Sequence, residues 1–251
     1  MLTITTKEAR RLALLKAGLL KPEWTGLPVR VHGTGQRARA AAHALIQRFG
    51  YLQLDTVSIA GARSHALVLL SRLSGMDPEL AEALLQPGEP LFEYWGHEVC
   101  WLPLELYPVF GFRRERFRHH PWWGDILGAH PELAREVLKR IADEGPLRSS
   151  DFEGATKGGW WNHTPAKRVI LALWSSGELA VRERRAFQRT FDLAERVIPA
   201  EYRGRDLPQE EALRHLLLKA LDGHGWADAG TLQRTWRLIR QGTKVKAALH
   251  E

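Results

Sequence analysis

The sequence predicts an α+β fold, mainly α, that is built from tandem winged-helix (helix-turn-helix) modules. Segments with apolar residues at helical spacing recur along the chain and are separated by glycine and proline. Short segments in which apolar and polar residues alternate follow some of these helices, as strands do. Between residues 133 and 197 the predicted order is three helices and then two strands, which is the order of a winged helix.

The first module is expected to span residues 1–125. Its predicted helices, in chain order, cover 5–20, 36–49, 63–73, 77–85 and the second half of 104–119. Gly50 ends the second of these helices, and the alternating residues after it predict a short strand over 51–57 with Leu52 and Leu54 facing inward. Residues 92–95 and 98–102 predict a β-hairpin.

The second and third modules are expected to span residues 126–207 and 208–251. In the second, helices are predicted over 133–143, over 147–152, and from Thr164-Pro165 to Gly177, with a turn at Gly158-Gly159 before the last. The charged, alternating residues 178–197 then predict the two strands of a wing. The third module has three predicted helices and no wing, so the sequence predicts an incomplete module there.

The composition favours a polyanion as the partner. The chain has a formal net charge of +7 at pH 7, and nucleic acid is the commonest polyanion inside a cell. Arginine far outnumbers lysine, which suits bidentate phosphate contacts, although a GC-rich genome would also favour arginine codons. Nucleic acid is therefore the leading candidate ligand.

Membrane, secreted and disulfide-rich classes are not expected. No apolar run approaches the ~18 residues that a membrane span needs, and the first residues lack the apolar stretch of a signal peptide. The single cysteine, Cys100, excludes an internal disulfide and a CxxC metal site, and its apolar neighbours predict a buried thiol. These features predict a cytoplasmic protein, located in the nucleoid if it binds DNA.

Gln53 and Asp55 are the candidate catalytic residues. They are two residues apart on a predicted strand, so both side chains leave the same face. An amide and a carboxylate side by side can bind and deprotonate one water, and the carboxylate stabilises an oxocarbenium-like transition state at a sugar. The open alternative is that Asp55 only caps the end of the strand. If the pair is catalytic, we expect a shallow, open cleft at Asp55.

Three basic clusters are candidates for contact with DNA phosphates. On the predicted wing they are Arg182, Arg184, Arg185 and Arg189; at the start of the preceding helix they are Lys157, Trp161, Lys167 and Arg168; in the first module they are Arg113, Arg114 and Arg116. Each cluster has a plainer interpretation, namely a solvated charged turn or helix face and core packing of the tryptophans. His119 and His120 point to opposite sides of any regular element, so no metal site is predicted there.

An ordered set of motifs resembles the YcaQ/AlkZ family of bacterial winged-helix DNA glycosylases. The set begins with Gln53-Leu54-Asp55-Thr56-Val57, Arg63-Ser64-His65 and the run from Leu91 to Glu98, LFEYWGHE. It continues through Gly158-Gly159-Trp160-Trp161, Lys167, Leu171, Gly177-Glu178-Leu179 and the run from Asp192 to Arg196. The resemblance covers essentially the whole chain in order.

The resemblance implies a monofunctional DNA N-glycosylase that excises alkylated purines from double-stranded DNA and uses no metal or organic cofactor. Its Gln-x-Asp form is that of the branch associated with interstrand crosslinks, so Asp55 would polarise the water and Gln53 would position it. Arg63, His65, Tyr94 and His97 are pocket-lining candidates by the same resemblance. We expect a monomer. A winged-helix transcription regulator or architectural protein without chemistry, or an inactive relative, remains the alternative.

The chain departs from this family in length. Family members run on through a complete third winged helix to a C-terminal β-rich domain, and the present sequence stops before either. We therefore expect the third module to expose an apolar surface, formed by Leu216, Leu217, Leu218, Ala220 and Leu221.

Overall fold

The computed structural model describes residues 3–55, 58–59, 61–84, 86–120, 123–152 and 164–250, which form a mixed α/β fold that is mainly helical. The α-helices are α1 (Thr6–Lys16), α2 (Pro22–Thr25), α3 (Gln36–Phe49), α4 (Ser64–Leu70), α5 (Glu79–Ala83), α6 (Gly111–Arg116), α7 (Ile126–Ala129), α8 (Pro131–Glu144), α9 (Pro165–Ser176), α10 (Ala194–Val197), α11 (Gln209–His224), α12 (Ala229–Thr235) and α13 (Gly242–His250). Single 3₁₀ turns cover Leu104–Leu106, Pro108–Phe110, Ser149–Phe152 and Ala200–Tyr202.

The strands are short and form small sheets. They are β1 (Val29–Arg30), β2 (Leu52–Gln53), β3 (Ser58–Ile59), β4 (Ala62–Arg63), β5 (Leu73–Ser74), β6 (Leu91–Trp95), β7 (Val99–Pro103), β8 (Leu179–Arg185) and β9 (Gln188–Leu193). β2, β7 and β6 form a three-stranded sheet in that order, β1 pairs in parallel with β5, and β3–β4 and β8–β9 are antiparallel pairs. The predicted hairpin over 92–102 and the charged strand pair after Gly177 are confirmed.

One of the next two predicted elements is confirmed and the other differs from the structure. The helix predicted in the second half of 104–119 forms as α6, and two 3₁₀ turns precede it. The second strand after Gly177 ends at Leu193 and gives way to the short helix α10, so the strand pattern predicted to residue 197 was too long.

The chain divides into two compact units that do not follow chain order. The first unit contains residues 1–84, 94–103 and 208–251, and the second contains 85–93 and 104–207. Residues 208–251 therefore cluster with the N-terminal residues. The division into modules 1–125, 126–207 and 208–251 stays a prediction.

The core of the first unit is built where α3 packs on β7. Ile46 of α3 and Cys100 of β7 are fully buried, which confirms the predicted burial of the thiol. Leu52 and Leu54 are also buried, and so confirm the inward-facing positions of the predicted strand. Gly50 ends α3 as predicted, with a φ of 86° that favours glycine.

The C-terminal helices are integrated into the first unit. α11 packs against α1, α12 and α13, so Leu216, Leu217 and Ala220 are buried. The expectation that these three residues are exposed was wrong, because α1 and the two following helices cover that face. Leu218 and Leu221 are exposed, as expected.

In the second unit, α8 and α9 pack on each other and on the β8–β9 hairpin. Thr164 begins α9 as predicted, with its hydroxyl accepting a hydrogen bond from the Lys167 backbone amide at 3.3 Å. Gly177 ends the helix at a φ of 93°. Ahead of α9, Leu147 exchanges backbone hydrogen bonds with Phe191 of β9, which ties the segment after α8 to the hairpin.

His120 is a buried titratable group in the second unit. Its ring stacks on Trp123 with 4.1 Å between ring centroids, whereas the neighbouring His119 is exposed. Burial lowers the pKa of His120 to about 4. The two histidines thus occupy opposite environments, in line with the prediction that adjacent histidines face opposite sides.

The free energy of unfolding should fall as the pH decreases from about 6.5 to about 4. In this range His120 becomes protonated in the unfolded chain but stays neutral in the folded protein. The slope from this residue is at most ~1.4 kcal/mol per pH unit. His120→Phe should flatten the decline, measured by urea unfolding at several pH values, and His119→Phe should not. Equal declines in all three proteins would contradict this origin of the pH dependence.

None of the helices among the described residues is long and apolar enough to span a bilayer.

Candidate active site and DNA-facing residues

Gln53 is the last residue of β2, and Asp55 follows it two residues later. Gln53 is the register partner of Cys100, and the Leu54 amide donates to the Val99 carbonyl at 2.8 Å. Gln53 and Asp55 are half-buried, whereas Leu54 between them is buried. The alternation leaves the amide and the carboxylate partly accessible, on either side of buried Leu54.

The backbone just before this pair is constrained by contacts of Gly50 and Tyr51. The Gly50 amide donates to the Ile46 carbonyl at 2.8 Å, and a side chain at Gly50 would meet the Trp236 ring at 3.2 Å. Tyr51 packs edge-on against the same ring, with 5.3 Å between centroids, and burial raises the pKa of its hydroxyl to about 12. These contacts constrain the connection between α3 and β2.

Arg63 and His65, two predicted pocket residues, lie on either side of the start of α4. Arg63 is partly exposed, and its Nη1 contacts Glu82 Oε1 at 3.0 Å. His65 is fully buried, packs edge-on against Trp101 at 5.2 Å, and has its Nε2 3.9 Å from Glu82 Oε1. Because His65 has no exposed surface, we drop it from the residues that line an open pocket.

Tyr94 and His97, the other two predicted pocket residues, also differ from each other in burial. Tyr94 is buried, so its prediction is corrected for the same reason as that of His65. His97 is half-buried, its Nδ1 lies 2.9 Å from the carbonyl oxygen of Arg234, and it lines a cavity of about 400 Å³. Arg63 and His97 thus remain candidates for contact with a ligand.

The four wing arginines fall into two classes. Arg185 and Arg182 have side chains 67% and 35% exposed, and each pairs with an acidic residue of the hairpin. Arg184 and Arg189 instead bind the buried carboxylate of Glu93, with side chains only 6% and 21% exposed. Because the side chains of Arg184 and Arg189 are themselves largely buried against this carboxylate, they are not available to a phosphate, and their predicted DNA contacts are corrected.

The basic residues of α6 and α9 that are predicted to contact DNA also differ in burial. Arg113 and Arg114 of α6 are buried, and Arg114 binds the carboxylate of Asp206 and the backbone carbonyl of Tyr107. Their predicted DNA contacts are corrected because these groups serve the fold. The candidates that remain accessible are Arg116 on α6 and Lys167 and Arg168 at the start of α9. Lys157 and Trp161 lie outside the described residues.

Glu93 is the residue whose role sequence reasoning missed. The sequence shows it only as part of the LFEYWGHE run, yet its carboxylate is fully buried and receives hydrogen bonds from Arg184 at 2.6 and 2.7 Å. Burial opposes its charge, but Arg189 and Arg184 together lower the pKa of Glu93 below its usual value. Trp174 adds a hydrogen bond of 3.2 Å to the Glu93 carbonyl. A buried acid inside an apolar strand is the signal that would have found it.

Comparisons with known proteins agree with the motif resemblance. A sequence model described as DNA glycosylase AlkZ-like matches residues 46–251. The fold is similar to that of the Streptomyces sahachiroi DNA glycosylase AlkZ, with a TM-score of 0.63 and 18% identity over 99% of this chain and 65% of that one. The present chain thus spans about 65% of the length of that structure. Because the family match extends over most of the sequence, the chain belongs to the AlkZ-like DNA glycosylase family.

Proposed function

We propose that this protein is a DNA glycosylase that hydrolyses the N-glycosidic bond of alkylated purines of the N7-alkylguanine type. One observation carries the proposal: in a chain of the AlkZ-like family, Gln53 at the end of β2 and Asp55 just after it are half-buried polar residues on either side of buried Leu54. Such a pair is accessible to water and to a nucleotide and is nevertheless fixed in position by the core.

The proposed reaction requires one water and one carboxylate. Asp55 accepts a proton as the water oxygen bonds to the sugar C1′, while Gln53 positions the water through its side-chain amide. The bond from C1′ to the purine nitrogen breaks, and its electron pair leaves with the base. The Asp55 carboxylate also stabilises the positive charge that develops on the sugar ring.

Alkylated purines suit this arrangement because they depart without help from a general acid. An N7-alkylated guanine already carries a positive charge, so accepting the electron pair of the glycosidic bond makes it neutral. A single carboxylate then suffices. We extend the proposal to the unhooking of interstrand crosslinks, since a half-exposed pair at a strand end can be reached by a bulky adduct.

We further propose that the second predicted module, 126–207, is a winged helix that binds duplex DNA. The order of α8, a 3₁₀ turn, α9 and the β8–β9 hairpin supports this assignment, as does the pairing of Leu147 with Phe191. The accessible cations Lys167, Arg182 and Arg185 would contact phosphates. The protein is proposed to act as a monomer on DNA in the nucleoid.

Arg185→Ala should weaken binding to duplex DNA without loss of stability, because its guanidinium is 67% exposed. Removing one phosphate contact lowers the slope of log K against log salt by ~0.9. Fluorescence anisotropy with a labelled duplex at several salt concentrations measures the slope. Arg135→Ala, which removes a charge from an exposed pair on α8, is the control. An unchanged slope for Arg185→Ala would remove this residue from the DNA contact.

The activity is tested with purified protein and a duplex that carries a single N7-methylguanine. Release of the base leaves an abasic site, which mild alkali converts to a strand break that a denaturing gel resolves. We expect strand breaks only after alkali, since a water nucleophile leaves no covalent enzyme intermediate. A nitrogen-mustard crosslink in the same assay tests unhooking. Tight binding to an undamaged palindromic site, with no base released from any lesion, would favour the non-catalytic DNA-binding alternative.

A further inference from the structure

After β2 the chain continues along β7 towards the turn of the β6–β7 hairpin. β2 and β7 are antiparallel, with Gln53 opposite Cys100 and the Leu54 amide bonded to the Val99 carbonyl. One step further along this register, Asp55 comes opposite Glu98. The proposed catalytic carboxylate is therefore beside the turn that contains His97 and Glu98.

The segment from Gly230 to Arg240 contacts that turn through a short polar contact and an ion pair. The carbonyl oxygen of Arg234 lies 2.9 Å from His97 Nδ1, and Arg237 forms an ion pair with Glu98. Trp236 between them is fully buried and contacts Tyr51, at the other end of the catalytic strand. The cavity of about 400 Å³ beside the hairpin turn is lined by both parts of the chain.

This segment has a net positive charge. Residues 229–250 contain five cations and no acidic residue: Arg234, Arg237, Arg240, Lys244 and Lys246. Asp228, directly before them, interacts electrostatically with Arg234. Arg234 and Arg240 are exposed, and Arg237 has a side chain 33% exposed. Arg234 is positioned by a hydrogen bond of 3.0 Å from its Nη2 to the Thr231 hydroxyl.

The backbone here also adopts an unfavourable conformation. Arg237 and Arg240 have φ values of 48° and 59°, in the left-handed region that costs energy for any residue with a Cβ. Glycine would avoid that cost, and yet both positions hold arginine. Strain that persists at two charged positions, one of them Arg237 in an ion pair with Glu98 of the hairpin turn, favours a role in binding.

We propose that Arg234 and Arg240 form a phosphate-binding rim beside Asp55, with Arg237 anchoring the segment to Glu98. The rim binds the DNA backbone next to the lesion and thereby positions the attacked sugar beside Asp55. The role of this rim in catalysis rests on the proposed glycosylase function. The ligand is a phosphodiester and not the damaged base, because a cationic alkylpurine is repelled by arginines whereas a phosphate is attracted.

The test measures DNA binding separately from chemistry. Arg234→Ala, Arg240→Ala and Arg240→Gly are compared with Arg135→Ala, whose exposed guanidinium already pairs with Glu132. The probe is an undamaged duplex titrated at several salt concentrations, and base release from N7-methylguanine DNA is then measured under single-turnover conditions at saturating protein. Thermal unfolding is recorded for every variant.

Each rim variant should lower the salt slope by ~0.9, as one lost phosphate contact requires, and should also slow base release at saturation. Arg240→Gly is the sharpest variant, because it removes the charge and also relieves the left-handed strain. It should weaken DNA binding while its melting temperature stays level or rises, whereas a merely structural role predicts a fall.

Failure of this inference differs from failure of the proposed function. If the natural sequence releases base but the rim variants keep its salt slope and affinity, the phosphate rim is overturned and the glycosylase proposal stands. If no base is released by any protein but the rim variants lose affinity, the rim is supported and the glycosylase proposal fails.

Discussion

Replacing Asp55 by asparagine should lower the single-turnover rate of base release at least ~100-fold, because asparagine cannot accept the proton of the attacking water. It also removes the charge that stabilises the oxocarbenium-like transition state. Asparagine has nearly the same size and the position is half-buried at the strand end, so the fold should be retained. Rates are measured on duplex DNA with one N7-methylguanine, at saturating protein.

DNA affinity is the companion measurement for this variant. Asp55 carries negative charge, so its loss removes no attraction to phosphate, and binding should equal or slightly exceed that of the natural sequence. Asp143→Asn, which removes a similar charge from an exposed pair on α8, is the matched control and should release base at the normal rate. Base release by Asp55→Asn at the control rate would exclude Asp55 from the mechanism. A loss of both binding and cooperative unfolding would instead indicate a structural role.

Gln53 provides an intermediate case that separates positioning from proton transfer. Gln53→Ala leaves the Asp55 carboxylate in place and removes only the amide that orients the water. We expect a smaller loss of rate than for Asp55→Asn, with the same dependence on pH. The order of the two effects therefore distinguishes the proposed roles.

The local structure of the catalytic strand could be predicted because its signals lie within a few residues of one another. Gly50 ends a helix through a conformation that glycine favours, and the alternation around Leu52 and Leu54 sets which side chains face outward. The hairpin over 92–102 and the cap at Thr164 are local in the same way. Each of these features depends on neighbours in sequence, so the sequence alone contains the necessary information.

What the sequence could not predict depends on contacts between distant residues. Arg184 and Arg185 are adjacent and chemically identical, yet one binds buried Glu93 and the other is exposed. Their difference is decided by a residue more than ninety positions away. Similarly, Leu216 and Leu217 are covered by α1 from the opposite end of the chain. Composition and periodicity identify basic and apolar surfaces but not the groups that cover them.

Glu93→Gln should destabilise the second unit by about 3–5 kcal/mol, since it leaves Arg184 and Arg189 without a counter-charge in a largely buried position. For a protein of this size such a loss lowers the melting temperature by roughly 6–20 °C. Differential scanning calorimetry measures the shift. Glu132→Gln, which changes an 82% exposed carboxylate on α8, should have almost no effect.

A compensated variant separates the lost charge from lost packing. Changing Glu93 to leucine together with Arg184 and Arg189 to methionine replaces the whole ionic cluster by apolar side chains of similar volume. Buried ionic clusters replaced in this way often retain their stability, so the triple variant should recover most of what Glu93→Gln loses. If it is as unstable as the single variant, uncompensated charge is not the cause, and the packing of Trp174 and Phe187 against these arginines becomes the explanation.

The pH dependence gives the same interaction a second, independent signature. Because the arginines lower the pKa of Glu93 in the folded protein, its contribution to stability is fully present above the ordinary value of 4.5 and is lost as the pH falls through the lower folded pKa. The stability difference between the natural sequence and Glu93→Gln should therefore be constant near neutral pH and shrink in acid. A difference that stays constant down to pH 3 would mean that the Glu93 carboxylate does not stabilise the fold through its charge.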